Sequence, residues 1–234
     1  MFFLDIPNFE GKRISYAPSV GGGTGFGRFL EHVKNSIRNI DFLSVRDSHT
    51  EAVIKKFITA DIKRVVDPVL LYSFKDIVAD EPPTDEPYLL VFGDFKDREC
   101  DAIKKLARSK GLSKIVSLQH RNSVATQRVP APSPQDWISY FKYSSYTITS
   151  YFHGAVVAVK FQRPFTAIPT PGRRRKVKTL LETLGAENRY LETIKTPDSL
   201  IENSKNPLNW AAISKNLDRA FTHSITFLKQ ALDS

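Results

Sequence analysis

Short runs of apolar and β-branched residues alternate with segments of helical periodicity along this chain. The apolar runs predict strands, and the periodic segments predict helices. The predicted strands are 13–17, 42–45, 64–66, 88–92, 114–118, 146–149 and 165–168. The predicted helices between them are 28–40, 50–57, 98–109, 135–143, 152–161 and 176–184. Strands separated by helices indicate βαβ units and an α/β fold with mainly parallel, Rossmann-like sheets.

An acidic, proline-rich stretch interrupts this pattern at residues 79–87. It has few apolar side chains, so it predicts an exposed linker between two lobes, with a long surface loop inside one domain as the alternative. The predicted parts are a partial N-terminal Rossmann-like lobe (1–80), a C-terminal Rossmann-like lobe (88–206) and a terminal helix (207–234) that packs back on the lobes. Ser48, three residues before Glu51, and Ser133, before a proline, predict two helix caps.

The charge of the chain is concentrated in one segment. The 234 residues include 34 Lys and Arg against 25 Asp and Glu, a net charge of +9. Residues 102–181 carry 15 of those bases and a single acid, Asp136. A solvated basic face is the default interpretation, but this concentration of charge favours an anionic partner more than scattered lysines would: a phosphorylated small molecule, an acidic lipid surface or nucleic acid. Nucleic acid is not expected, because no module that reads it is present.

Several kinds of site are excluded by residue counts and spacing. One cysteine, Cys100, rules out a disulfide scaffold and a zinc ribbon. The five histidines are too dispersed to predict a metal cluster, so no metal is expected. No apolar run approaches the roughly 20 residues that span a bilayer. A cytoplasmic protein is expected, with peripheral association at the membrane face as a further expectation.

A glycine-rich segment follows the first predicted strand. It runs from Ser15 to Gly27 and leads into a predicted helix, an arrangement that can bring backbone N–H groups to an anion. A flexible surface loop is an equally good interpretation. The residues that could form an acceptor or anion loop are Ser19, Gly21, Gly23 and Gly25.

Arg46 directly follows the second predicted strand, within Leu-Ser-Val-Arg-Asp. Ligands of open α/β sheets bind beyond the carboxyl ends of the strands. Arg46 could therefore hold a carboxylate or phosphate through two parallel hydrogen bonds. The alternative is a pair between Arg46 and Asp47 that serves the fold.

The most informative element is Thr-Ser-Tyr-Phe-His-Gly at residues 149–154. A strand ends near Thr149 and an apolar helix begins near Phe152, so His153 falls in the first turn of a buried helix. A cationic imidazolium is disfavoured at the positive end of a helix dipole. A neutral imidazole beside a bound anion can accept or relay a proton, and a structural histidine on an apolar face is the alternative. Gly154 would allow a ligand to approach the backbone closely.

Five cations crowd the start of the helix predicted at 176–184. Because the helix dipole makes this arrangement unfavourable, a bound anion is a natural explanation, and a solvated cluster is the alternative. At least one of Arg173, Arg174 and Arg175 is expected to contact the ligand, and the charges alone do not say which.

Taken in order, these elements resemble the polysaccharide pyruvyl transferase family. The matching pieces, which span about 14–189, are Ile-Ser-Tyr-Ala-Pro-Ser-Val-Gly (14–21), Leu-Ser-Val-Arg-Asp (43–47), Val-Val-Asp-Pro-Val-Leu-Leu (65–71), Pro-Ser-Pro (132–134), Thr-Ser-Tyr-Phe-His-Gly (149–154), and Gly-Arg (172–173) with the following Leu-Leu and Leu-Gly. The resemblance implies a glycosyltransferase-B-like, two-lobe architecture. It also implies transfer of a carboxyvinyl unit from phosphoenolpyruvate to two hydroxyls of a glycan or lipid-linked saccharide, with no further cofactor.

The resemblance assigns roles to individual residues. His153 is implied to be catalytic, and Arg46 is a donor contact, with Ser150, Gly154 and the three arginines as further donor or anion contacts. The chain departs from the family in beginning just before the Ser-Tyr-Ala motif, so the N-terminal lobe is expected to be truncated. Two other functions stay open: a nucleotide-sugar-dependent glycosyltransferase or epimerase of the same architecture, and an inactive binding remnant.

Overall fold

The computed structural model describes Ile6 and residues 9–234, which form two compact units. The first extends to Leu71 and includes Ser214–Ser234, and the second is Tyr72–Ile213. Residues 79–87, predicted as a linker, therefore lie within the second unit. Hydrogen bonds attach the beginning of this stretch there: the Ala79 N–H donates to Ser139 Oγ (3.0 Å), and the Tyr143 hydroxyl donates to the Ala79 carbonyl (2.9 Å).

The first unit contains a three-stranded parallel sheet in the order β1-β2-β3. Its strands are β1 (Ile14–Ser15), β2 (Phe42–Val45) and β3 (Lys63–Arg64), and the helices between them are α1 (Leu30–Arg38) and α2 (Ser48–Lys55). The prediction of β2 is confirmed with the same bounds. The predicted third strand does not extend to Val66, because the Val66 N–H donates to Ser224 Oγ (3.0 Å) rather than to a neighbouring strand.

The second unit contains a five-stranded parallel sheet in the order β6-β5-β4-β7-β8. Its strands are β4 (Tyr88–Phe92), β5 (Lys114–Leu118), β6 (Gln127–Val129), β7 (Tyr146–Thr149) and β8 (Phe165–Ala167). Its helices are α3 (Asp97–Ser109), α4 (Pro134–Tyr143), α5 (Phe152–Lys160), α6 (Arg174–Leu184) and α7 (Ser199–Lys205). The predicted bounds of β4, β5 and β7 are confirmed. Strand β6 was not predicted, because this edge strand has no buried residue and therefore no apolar run.

All five residues of β4 are buried, because helices cover both faces of the sheet. Side chains alternate between the faces along a strand. Leu89 and Val91 join Ile103 and Leu106 of α3 in one core cluster. On the opposite face, the ring of Phe92 packs edge-on against the ring of Phe141 in α4, at 5.6 Å between centroids. The apolar run at 88–92 therefore marks the centre of the unit.

The predicted helix caps differ in outcome. Ser133 caps α4 as predicted: its hydroxyl accepts the Asp136 N–H (3.1 Å). The prediction for Ser48 is wrong, because Asp47 is the cap of α2 and Ser48 is the first helical residue. Asp47 has an extended backbone directly after β2, and its Oδ1 accepts the Thr50 N–H at 2.7 Å. A carboxylate in this position accepts the free helix N–H groups and also favours the dipole.

The terminal helix α8 (Trp210–Asp233) continues into the first unit after Ile213. Within that unit, Phe227 packs with Ala17 and Val65 in a buried cluster. Although α8 has 24 residues, none of the helices in the part of the chain that the structure describes is both long and apolar enough to cross a membrane.

Candidate functional site

The strand order of the second unit defines where a ligand is expected to bind. From β4 the chain builds outward through β5 to β6, then returns to place β7 and β8 on the other side of β4. A crevice therefore opens above the carboxyl ends of β4 and β7, where the direction of winding reverses. Gly93 follows β4 and Ser150 follows β7, so these residues stand at the entrance of that crevice.

His153 lies beside this crevice, as the second residue of α5. Its side chain is exposed, whereas the rest of the helix is mostly buried. Tyr151 is the N-cap residue and makes no side-chain capping bond, so the first turn keeps its positive dipole end. The predicted position in the first turn of a buried helix is confirmed; the catalytic role of His153 stays a prediction.

Ser150 and Gly93 hold the two strand ends close together. Ser150 is buried, and its N–H donates to the Phe92 carbonyl (3.1 Å). A Cβ on Gly93 would lie 2.5 Å from Ser150 Oγ, so only glycine fits there. Ser150 is thus a packed residue of the strand end that also lines a pocket.

The structure shows that Gly154 has a packing role; the approach of a ligand to its backbone stays a prediction. Gly154 is buried, and a Cβ there would lie 2.1 Å from Thr149 Oγ1 and 3.0 Å from the Phe92 ring. The Thr149 hydroxyl donates to the Phe92 carbonyl (2.9 Å) and accepts the Tyr151 N–H (3.0 Å). The missing side chain therefore lets α5 start tightly against the sheet.

Gly154→Ala is expected to destabilise the protein by about 1–3 kcal/mol, because the added methyl overpacks this contact. The measurement is the midpoint of urea unfolding followed by circular dichroism. Gly172→Ala is the matched control, because a Cβ there meets no atom within 4 Å. Equal midpoints for the two variants would contradict the packing role.

The three neighbouring arginines occupy different environments. Arg173 ends a short 3-10 helix after β8, and its guanidinium lies 4.1 Å from the centroid of the Tyr151 ring. Arg174 pairs with Glu192 at 2.8 Å, and Arg175 is exposed. Burial raises the pKa of the nearby Tyr190, the Glu192 carboxylate adds to that rise, and Arg174 opposes it. The three arginines, which their charge alone does not distinguish as ligand contacts, therefore have different surroundings.

An open pocket of about 410 Å³ lies at the ends of β4, β7 and β8. It is lined by Asp94, Phe95, Lys96, Glu99, Ser150, Ile168, Pro169, Thr170, Pro171, Arg174, Glu192 and Thr193. Hydroxyls and carboxylates dominate its polar lining. Among the residues that the structure describes, no group of three or more His, Cys, Asp or Glu side chains is placed to hold a metal ion.

Sequence reasoning missed His120, which follows the end of β5. Its ring stacks on the ring of Tyr151, with 5.3 Å between centroids and 27° between planes. Phe92 packs against Tyr151 from β4 at 4.8 Å. The rule that functional residues follow strand ends could have identified His120, since it stands two residues after β5.

Arg46, in the first unit, forms an ion pair with Asp67 at 2.5 Å. The alternative pairing with Asp47 is wrong, because Asp47 caps α2 instead. Asp67 is 2% exposed and also accepts the Val69 N–H (3.1 Å). The ion pair therefore joins the Ser-Val-Arg-Asp motif to the Val-Val-Asp-Pro motif, which gives both a structural role. Whether Arg46 also contacts a donor stays a prediction.

The glycine-rich segment is anchored at two points to α2. Thr50 Oγ1 accepts the Val20 N–H (3.1 Å), and His49 Nε2 is 2.7 Å from the Gly23 carbonyl. Ser19 Oγ accepts the Gly21 N–H (3.1 Å), and Gly21 has a φ of 61°, which favours glycine. Gly23 and Gly25 are exposed. Anion binding by this loop stays a prediction.

The sequence profile of polysaccharide pyruvyl transferases matches residues 1–171. The chain belongs to this family. No curated protein is significantly similar to this pyruvyl transferase family member in sequence.

Solved structures share the fold of this family member. A putative UDP-N-acetylglucosamine 2-epimerase from Listeria monocytogenes is 11% identical, with a TM-score of 0.57 over 86% of this chain and 60% of that chain. UDP-GlcNAc 2-epimerase from Neisseria meningitidis, bound to UDP-GlcNAc, is 10% identical, with a TM-score of 0.56 over 89% of this chain and 65% of that chain. The predicted α/β class, with parallel Rossmann-like sheets and a glycosyltransferase-B-like fold, is confirmed. The chain spans less than two thirds of the length of either structure.

The candidate residues thus fall into two groups. The second unit brings Ser150, His153 and Arg173 to the carboxyl edge of one sheet. Arg46 and the glycine-rich loop lie in the first unit.

Proposed function

We propose that this chain transfers the pyruvyl unit of phosphoenolpyruvate to two hydroxyls of a saccharide, forming a pyruvate ketal and releasing phosphate. The observation that carries the proposal is the exposed imidazole of His153 at the positive end of α5, beside the crevice of the parallel sheet. Family membership supports the reaction class. The chemistry needs acid and base catalysis, which an imidazole can supply, together with an electropositive site, which the arginines at 173–175 and the N-terminus of α5 can supply.

The proposed reaction begins with proton transfer to the methylene carbon of the donor. The adjacent carbon becomes oxocarbenium-like, and one sugar hydroxyl attacks it and loses its proton. Phosphate then leaves with the electron pair of its C–O bond, and a second hydroxyl closes the ring and loses its own proton. An imidazole can act as the acid and then as the base in such a sequence near neutral pH. His153 is proposed for that role.

Cations at the start of α6 support the departure of phosphate in this proposal. Residues 173–176 are Arg-Arg-Arg-Lys at the start of α6, and the Lys176 ammonium lies 5.3 Å from the ring centroid of Phe152, next to His153. Cations and helix N-termini stabilise negative charge that develops on a leaving phosphate. No further cofactor takes part in the proposed reaction.

The 410 Å³ pocket is proposed for the acceptor saccharide. Asp94, Glu99 and Glu192 line it, as do Lys96 and Arg174. Carboxylates accept hydrogen bonds from sugar hydroxyls, and the cations can donate to the oxygens of those hydroxyls. Thr170 and Thr193 add hydroxyls of their own. A glycan or a lipid-linked saccharide would meet these groups equally well.

Titration calorimetry separates this proposal from its main alternative. Phosphoenolpyruvate is expected to bind with measurable heat, and UDP-GlcNAc, which the Neisseria epimerase structure contains, is expected to give none. A second assay measures the release of phosphate from phosphoenolpyruvate in the presence of a panel of glycans. Binding of the nucleotide sugar without the donor would favour a glycosyltransferase or epimerase. Binding of neither compound would favour a remnant without this activity.

A further inference from the structure

We infer that Arg173 is the arginine that binds the anionic donor, and that Tyr151 and His120 are positioning residues that hold its guanidinium in place. This inference rests on the proposed function and deepens it by choosing among three arginines. It assigns a role to His120, which lies outside the catalytic and donor-binding residues considered above.

The guanidinium of Arg173 is held at two points. Its centre lies 4.1 Å from the centroid of the Tyr151 ring, and its Nη1 donates to Thr170 Oγ1 at 3.0 Å. A guanidinium stacked on an aromatic ring keeps its N–H donors in its own plane. Two of them can then bind the oxygens of one phosphate or carboxylate. The contact with Tyr151 therefore orients two N–H donors of Arg173 for binding an anion.

Arg174 is a weaker candidate because its charge is already compensated. Its Nη1 lies 2.8 Å from Glu192 Oε1, and its Nη2 is 3.4 Å from the Glu192 carbonyl. An anion that bound Arg174 would have to displace or approach this carboxylate. Arg173 instead faces an aromatic ring and a neutral hydroxyl, so its positive charge stays available to a ligand.

Tyr151 ties the position of Arg173 to that of His153. Tyr151 is the N-cap residue of α5, and His153 is two residues further on. The Tyr151 ring also packs on Phe92, which is 7% exposed, at 4.8 Å between centroids. The buried end of β4 thereby supports the ring. A guanidinium resting on Tyr151 is consequently fixed relative to the backbone that carries the imidazole.

His120 supports the stack from the neighbouring strand end. Its ring lies 5.3 Å from Tyr151 with planes 27° apart. The preceding residue, Gln119, has a φ of 64°, a left-handed backbone that glycine adopts more readily. Ser117 Oγ, which donates to the His120 carbonyl (2.9 Å), holds this conformation.

Asn122 fixes the same turn to the end of β4. Its side-chain amide, which is buried, donates to Ser117 Oγ (2.8 Å) and to the Gly93 carbonyl (2.9 Å). The Phe95 N–H donates to its Oδ1 (3.0 Å). These hydrogen bonds fix the turn that carries His120 to the residues after β4. The backbone of the turn therefore holds the His120 imidazole against the Tyr151 ring.

The test measures binding of phosphoenolpyruvate and of inorganic phosphate to the full chain by calorimetry. Arg173→Gln is expected to weaken both by about tenfold or more, through loss of the charged fork. Arg173→Lys, which keeps the charge and loses the planar stack, is expected to recover only part of that affinity. Lys178→Gln is the control, since it removes one positive charge from an exposed position of α6, the helix that follows Arg173. It is expected to change affinity less than about twofold.

Substitutions of the two rings test positioning. Tyr151→Leu and His120→Ala are each expected to weaken anion binding by about threefold, whereas Tyr151→Phe and His120→Phe, which keep an aromatic ring, are expected to stay near wild type. Circular dichroism of each variant checks that the fold is intact. Loss of affinity in the phenylalanine variants equal to that in the Leu and Ala variants would overturn the positioning roles.

Three further outcomes would distinguish the choice of Arg173, the existence of the anion site and the proposed function. Equal losses in Arg173→Gln and Lys178→Gln would mean that general charge attracts the anion, which overturns the choice of Arg173. A wild type that binds neither phosphate nor phosphoenolpyruvate overturns the site itself. If phosphate binding responds to the variants as expected but phosphoenolpyruvate gives no turnover with any acceptor, the proposed function fails and the anion site stands.

Discussion

His153→Ala is expected to abolish ketal formation, with turnover reduced by at least about 100-fold, the usual contribution of a positioned acid or base. The side chain is exposed, so its removal leaves the packing of α5 intact. Donor binding should survive, because the cations at the start of α6 are untouched. The measurement is phosphate release from phosphoenolpyruvate with a glycan acceptor, alongside calorimetry of donor binding.

His223→Ala serves as the control, because it removes another exposed imidazole from a different unit. Its turnover is expected to equal that of wild type. Normal ketal formation by His153→Ala would refute the proposed catalytic role. Loss of donor binding together with turnover would instead make His153 a binding residue.

Asp67→Ala is expected to lower the free energy of unfolding by about 3 kcal/mol or more, because it leaves the Arg46 charge without its close partner. The side chains of Arg46 and Asp67 are 20% and 2% exposed, so water can replace the lost carboxylate only in part. Asp67→Asn is expected to lose less, since an amide oxygen can still accept the Val69 N–H that Asp67 Oδ1 accepts at 3.1 Å. Urea unfolding followed by circular dichroism measures both variants.

Glu31→Ala provides the matched comparison, since it removes an ion pair on the surface of the same unit. Glu31 lies 2.7 Å from Lys34 but is 74% exposed, so the pair is screened by solvent. Its loss is expected to change the free energy of unfolding by about 0.5 kcal/mol or less. Similar effects of Glu31→Ala and Asp67→Ala would show that the Arg46–Asp67 pair contributes no more than a surface pair.

Local patterns predicted the central elements of the fold accurately. Strands β4, β5 and β7 have the predicted bounds because each is a short run rich in apolar or β-branched residues that is buried almost throughout. The edge strand β6 escaped prediction because its pairing with β5 depends on hydrogen bonds from a neighbouring strand and not on its own residues. The cap of α2 also escaped prediction from local residues, because Asp47 and Ser48 are both suitable cap residues. The extended backbone of Asp47 at the end of β2 makes Asp47 the cap.

The sequence by itself determined the family, the α/β class and the place of His153 in the first turn of a buried helix. Each of these depends on residues that are near neighbours along the chain. Only the tertiary structure showed that Arg46 pairs with Asp67, that Arg174 pairs with Glu192, and that Arg173 and His120 meet on the ring of Tyr151. Arg174 and Glu192 both follow β8, 18 residues apart, and the partners in the other contacts come from different strand ends. The order of strands in a sheet, which local residue patterns do not specify, brings them together.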